Sequence, residues 1–346
     1  TNERDARFFD LYEMDLAAFQ RKLVYQNTAG YEIGDISRDR KYVAFNKPNT
    51  TNDSDLYLYD ATTREVKHLT PHTGDVNYTV AEFDPGSRYL YYLTDEGSEF
   101  AHIARYELAT GKKETVEKAD WDVLSTYFSH GGKYRVVSVN ADASTVIKVS
   151  EEKTGRPVPL PSFPGGEIRG VNISRSEKLM AFYVNGDRSP ANLHVYDFAT
   201  RSVTQLTQSL NPEVNPEDLV EAQVVRYKSF DGMEIPALLF RPQGATASSK
   251  APAIVEVHGG PGGQSRRGYS ALYQFLVNHG YAVLRVNNRG SSGYGKTFYA
   301  ADDQKHGREP LWDCVQAKKY LASLDYVDGS KIAIQGGSYG GYMVLA

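Results

Sequence analysis

Apolar and polar residues alternate in short runs through the first two thirds of the chain, and the runs repeat. Residues 36–45, 83–92, 128–137 and 173–182 share one order: an apolar residue, a polar turn and an apolar-aromatic strand. Their starts recur at spacings of 45 to 47 residues. Each segment leads after a loop into a second strand and turn, at 56–64, 103–111, 147–155 and 193–201. Period-two alternation buries one face of a strand, and two hairpins per period make one four-stranded antiparallel sheet. A repeat in the mid-forties with this content predicts β-propeller blades, each covering its neighbour. Greek-key sandwiches also space strands closely, but nothing in them holds a fixed period. Tyr12-Glu13 stands 47 residues before Tyr59-Asp60, and residues 21–24 resemble a closing blade strand. The expectation is a partial propeller of about four and a half four-stranded blades, with Thr1 inside an earlier blade.

After Thr207 the pattern changes. Residues 211–216 hold two prolines and two asparagines, which marks a linker. The propeller is thus assigned to 1–210, the linker to 211–222 and a second domain to 223–346. Strands at 223–229 and 234–241 flank the turn Asp231-Gly232. The apolar run 252–258, bounded by Pro and Gly, reads as a buried parallel strand. A helix over 269–279, a strand over 281–286, a glycine-rich loop, a helix over 311–324 and a strand over 331–335 follow. Strand–helix alternation implies a doubly wound α/β sheet. The fold class is multidomain, a β-propeller segment followed by an α/β domain.

Composition narrows the function classes. A net charge of -4 without a long Lys/Arg cluster gives no footprint for nucleic acid. No apolar run approaches the eighteen or so residues of a membrane span. Cys314 is the one cysteine, which excludes an intrachain disulfide framework and a multi-Cys zinc site, and its helical context assigns it to the core. His68, His72, His102, His130 and His194 lack metal-ligand spacing and are expected at the surface or in loops. No cofactor is called for. Asp60 and Glu107 recur at one blade position, which suggests a turn role.

Gly336-Gly337-Ser338-Tyr339-Gly340 fits the G-x-S-x-G nucleophile elbow, a sharp strand-to-helix turn that lifts a serine hydroxyl above the sheet edge. A plain βα turn is the bland alternative. The required context is present, with an apolar strand before and a helical start after. His258-Gly259-Gly260-Pro261 ends an earlier strand, where this architecture places an oxyanion loop. Acyl transfer develops negative charge on a carbonyl oxygen, and fixed N–H donors stabilise it. The candidate donors are Tyr339 N–H and the N–H of Gly259 or Gly260; a flexible glycine loop is the alternative. His258 is not assigned as the base, because α/β-hydrolases order their triad Ser, Asp or Glu, then His. His279 and His306 are equally unpromising.

Asp231-Gly232, His258-Gly259-Gly260-Pro261, Asn288 to Gly295 and Gly336 to Gly341 together resemble the prolyl oligopeptidase family of serine peptidases, nearest its acylaminoacyl-peptidase and dipeptidyl-peptidase-5-like branch. The resemblance spans the chain and implies a propeller that limits access to an α/β-hydrolase domain. It implies hydrolysis of short peptides through an acyl-enzyme, with Ser338 as nucleophile and Tyr339 with Gly259 or Gly260 as oxyanion donors. Residues 289–295 are implied to line a loop near the cavity, with Arg289 as its brace. Two departures stand out. His258-Gly259-Gly260 replaces the tyrosine of the strictly post-proline-cleaving branches. The triad Asp and His are expected beyond Ala346, eight residues after Ser338, so the chain alone is expected to be inactive. An esterase of the same fold, and a propeller-based binding protein with a degenerate hydrolase domain, are the competing readings.

Overall fold

The computed structural model describes all 346 residues, Thr1–Ala346. They form two compact units, one of Thr1–Ala119, Val123–Val137 and Ser150–Arg156, the other of Asp120–Asp122, Ser138–Val149 and Pro157–Ala346.

In the first unit, antiparallel sheets follow one another in chain order. The hairpin Leu11–Met14 with Arg21–Tyr25 comes first. A four-stranded sheet of Glu32–Ile36, Tyr42–Pro48, Ser54–Asp60 and Val66–His68 follows, then one of Tyr78–Phe83, Tyr89–Thr94, His102–Glu107 and Lys113–Glu117. Ala44, Leu56 and Leu58 of the earlier sheet share one buried cluster with Tyr78, Val80, Phe83, Leu90 and Tyr92 of the next. The shared core is why the pattern must repeat: a single blade has no partner for its apolar face.

A recurring carboxylate ties successive blades together. Asp35 follows a bulge in the first strand of its sheet, and its Oδ2 accepts the Phe83 N–H at 2.7 Å. One blade later Glu82 follows the matching bulge and accepts the Phe128 N–H at 2.6 Å. A bulge frees a residue from the ladder and re-aims it. Gly34 inside the first bulge has no room for a side chain, since a Cβ would lie 2.5 Å from Val80 Cβ. The acidic turn position also does what its recurrence suggested: Asp60 Oδ1 accepts Thr62 N–H at 2.7 Å, and Glu107 Oε2 accepts the Thr110 hydroxyl at 2.6 Å.

Two expectations need correction. The sheet of Asp122–Phe128, Tyr134–Ala141 and Ser144–Glu151 has three strands, not four. Its closing segment carries Pro157, Pro159, Pro161 and Pro164, which lack the N–H that a ladder needs; Val158 N–H still bonds Val149 O at 2.8 Å. Nor are the histidines uniformly superficial. His102 and His194 are buried, and burial pushes His102 below the ordinary imidazole range. His194 stacks on Phe182 while its Nδ1 donates to Asn192 O. At inward strand positions a neutral imidazole packs as a ring, provided that a nitrogen finds a partner.

The second unit carries the four-stranded sheet of Gly166–Ile173, Leu179–Gly186, Ser189–Asp197 and Val203–Gln205, and a five-stranded sheet. The latter is ordered Gln223–Lys228, Glu234–Phe240, Ala282–Val286, Ala251–Val257, Val327–Gly336, its last three strands parallel. Helices Ala271–Asn278, Glu309–Ser323 and Tyr339–Leu345 accompany it. Val255, Val257, Leu284, Ala317, Leu321 and Met343 build its core, with Cys314 among them as expected. Buried Asp187 joins the blade to this sheet, accepting from Arg267 Nη2 at 3.0 Å, Gly268 N–H at 2.8 Å and Ala222 N–H at 3.0 Å. No helix is long and apolar enough to cross a membrane.

Burial raises the Glu82 carboxyl above its ordinary value of 4.5. The folded state therefore holds this proton more tightly than the unfolded chain, and the group's contribution to stability falls as pH rises through the raised value. Glu82→Gln keeps the acceptor for Phe128 and removes the charge. Urea midpoints measured at about pH 4 and about pH 7 should show Glu82→Gln gaining on the parent as pH rises. Glu82→Ala should instead lose about 1–3 kcal/mol, having left the Phe128 N–H unpaired.

Candidate active site

Three parallel strands end level with one another. Val257 is paired with Val286 on one side and Gly336 on the other, so the loops leaving all three converge at one carboxyl edge. That edge is where open α/β sheets place their ligands.

Ser338 follows Gly336 at this edge by two residues. Its backbone, φ 55 and ψ -122, lies in a region that a non-glycine residue occupies only under strain of about 1–3 kcal/mol. The helix Tyr339–Leu345 starts immediately after it. Space explains the flanking glycines: a Cβ on Gly340 would lie 2.1 Å from Val257 O, and one on Gly336 would lie 2.6 Å from Gly340 O. Gly337 has open space around it, which matches the free position of the motif. Gly259 stands beside the serine, its notional Cβ 3.5 Å from Ser338 Cβ and 3.9 Å from Oγ. The elbow and the 258–263 loop, read separately from the sequence, thus meet.

Hydrogen bonds hold that loop to the one leaving Val286. Asn287 Oδ1 accepts Ser265 N–H at 2.6 Å, its Nδ2 donates to Ser265 O at 3.0 Å, and Ser292 N–H donates to Gly263 O at 3.1 Å. His258 belongs to this stitching. Its Nδ1–H donates to Gly259 O at 2.8 Å, and Nε2 pairs with Ser291 Oγ at 2.8 Å. Burial pushes its pKa below the ordinary imidazole value. Both nitrogens being engaged, His258 shapes the loop. His279 is held by Phe275 O and His306 by Asp302.

Arg289 is a brace. Its Nη2 donates to Asp313 Oδ1 at 2.9 Å and its Nη1 to Asp231 Oδ2 at 2.7 Å, while its own backbone N–H donates to Asp313 Oδ2 at 2.9 Å. Ser229 Oγ donates to Asp313 Oδ1 at 2.5 Å. The Arg289 partnership holds Asp231 below the usual carboxylate range. Asp313, fully buried, is the residue that sequence reasoning missed. The available signal was a charged residue on the apolar face of its helix, next to Cys314. Burial also raises the Cys314 thiol to about 12, which keeps it an unreactive thiol.

Removing one partner of a buried ion pair leaves the other charge uncompensated. Asp313→Ala should therefore cost about 3–5 kcal/mol in urea unfolding, whereas Arg289→Met combined with Asp313→Leu should recover most of it. Ser338→Gly, which relieves the strained φ, should melt at a higher temperature than Ser338→Ala, because alanine keeps the strain of about 1–3 kcal/mol.

A profile described as "Prolyl oligopeptidase, N-terminal beta-propeller domain" matches residues 15–209, and one described as "Prolyl oligopeptidase family" matches 267–346. The dipeptidyl aminopeptidase BIII of Pseudoxanthomonas mexicana is 28% identical over 99% of this chain and 51% of that protein. The prolyl endopeptidase of Elizabethkingia meningoseptica is 26% identical over 90% of the chain and 44% of its own length. A solved Mycobacterium tuberculosis puromycin-hydrolyzing peptidase shares the fold with a TM-score of 0.81 at 19% identity, covering 96% of this chain and 53% of that one. The chain spans about half the length of the curated relatives it matches. With residues 15–209 matched by the family's propeller profile and residues 267–346, which include Ser338, matched by the family's own profile, the chain belongs to the prolyl oligopeptidase family.

Proposed function

We propose that this chain is the propeller-bearing and nucleophile-bearing part of a serine peptidase that cleaves short peptides through an acyl-enzyme. Residues 1–210 are its propeller segment, 211–222 the linker, and 223–346 the part of the hydrolase domain up to and including the nucleophile elbow. The observation that carries the reading is Ser338, strained at φ 55 with Gly259 beside its hydroxyl. Catalysis by Ser338 uses each part of that arrangement. The elbow holds Oγ clear of its own backbone, so that it can attack a peptide carbonyl. The charge that develops on the carbonyl oxygen is received by Tyr339 N–H, left without an intrahelical partner at the first position of its helix, and by the N–H of Gly259 or Gly260.

The proton of Ser338 passes to a histidine. His258, His279 and His306 are held elsewhere, and the family order sets the acid and the base C-terminal to the nucleophile. Relatives that are dipeptidyl and prolyl peptidases support a peptide substrate. His258-Gly259-Gly260 favours the branch that is not confined to cleavage after proline.

In the protein that carries this chain, a fluorophosphonate probe should label Ser338 and block hydrolysis of aminoacyl-peptide substrates. Ser338→Ala should abolish both. Persistent labelling of Ser338→Ala would refute the assignment of the nucleophile.

A further inference from the structure

Beside the elbow lies an acid–imidazole pair that the chemistry above leaves unused. The Asp302 side chain is 5% exposed, and its Oδ2 has His306 Nδ1 at 3.2 Å as its ion-pair partner without a hydrogen bond of good geometry. The carboxylate presses on the loop that Arg289 braces: a Cβ on Gly290 would lie 2.1 Å from Asp302 Cγ. Burial pushes the Asp302 carboxyl above its ordinary range, as a carboxylate with so few donors requires. The same His306 Nδ1 stands 3.5 Å from Tyr339 Oη, and the two rings meet edge to face with centroids 5.8 Å apart. Contact therefore runs from the Gly290 loop through Asp302 and His306 to the residue next to the nucleophile.

We propose that His306 and Asp302 are positioning residues for acyl transfer, holding the Tyr339 side chain and thereby the direction of the Tyr339 N–H. The inference rests on the peptidase reading above. An oxyanion donor acts only when it is fixed before the charge develops, and Tyr339 occupies the first turn of its helix. Gly340 against Val257 O fixes one side of that turn. The ring of Tyr339 is the lever on the other side, and His306 holds its end. Asp302 draws the same Nδ1–H by charge, so that this one donor is shared between the carboxylate and the Tyr339 oxygen. His306 moves no proton to substrate in this role.

The test is kinetic, in the protein that carries this chain, with kcat expressed per active site titrated by fluorophosphonate. Tyr339→Phe removes one oxygen and should lower kcat about tenfold at unchanged KM, a fraction of the 10²–10³ lost when a donor is deleted. His306→Ala should do the same, and His306→Gln, whose amide can still donate to Asp302, should recover most of the loss. Tyr339→Phe combined with His306→Ala should be no slower than either alone, since both cut one connection. An unchanged kcat in Tyr339→Phe, or losses that multiply in the double variant, overturns the proposal. Should His306→Ala fail to fold, Tyr339→Phe with and without His306→Gln makes the same comparison. Normal labelling of the parent with unaffected variants defeats the positioning role alone; no labelling of the parent defeats the peptidase reading and this role with it.

Discussion

Everything at the candidate site depends on how closely the backbone of Gly340 approaches the Val257 carbonyl. A methyl group in that place would stand 2.1 Å from the oxygen, so the elbow helix lies against the neighbouring strand end only because residue 340 is glycine. The approach is possible because Val257 and Gly336 are in parallel register. It brings the loop starting at His258 alongside Ser338, and it forces the serine into its positive φ. The strain at Ser338 and the nearness of the 258–263 loop are consequences of one close packing.

Charge then secures what packing has brought together. The loop after Val286 would be a flexible glycine-rich segment if left to itself, yet Arg289 is clamped by Asp313 on the long helix and Asp231 on the hairpin turn. A buried pair of this kind adds little net stability against an apolar replacement, but it punishes the loss of either partner. Its contribution is the placement of a loop. Through Ser291 and Ser292 that loop holds His258 and Gly263, so the ion pair positions the 258–263 loop without touching Ser338.

The repeating sheets obey a different constraint. Each blade lacks a partner for one apolar face until the next is folded beside it, and the core of Leu56, Tyr78, Phe83 and Leu90 shows two blades completing each other. Between them the carboxylates of Asp35 and Glu82 reach an N–H one period ahead. Such a bond has meaning only in a repeat, where the position that supplies the carboxylate and the position that supplies the N–H recur together.

The amino-acid sequence by itself determined the blade period, the strand–helix alternation and the elbow, because these rest on local periodicity and on residues whose backbone preferences are intrinsic. It also set Ser338 and Gly259 near the ends of two apolar runs, which a parallel sheet brings to one edge. What tertiary structure alone decided are the partnerships between distant side chains. Asp313 with Arg289, Asp302 with His306, and the burial of His102 and His194 have no local signature, since a charge or an imidazole reads the same in sequence whether it faces solvent or a partner. The missing fourth strand of the third sheet was visible as four prolines but was outweighed by the period. A pattern of apolar positions specifies which faces are buried; only packing in three dimensions specifies what each buried polar group meets, and that meeting fixes the geometry of the site.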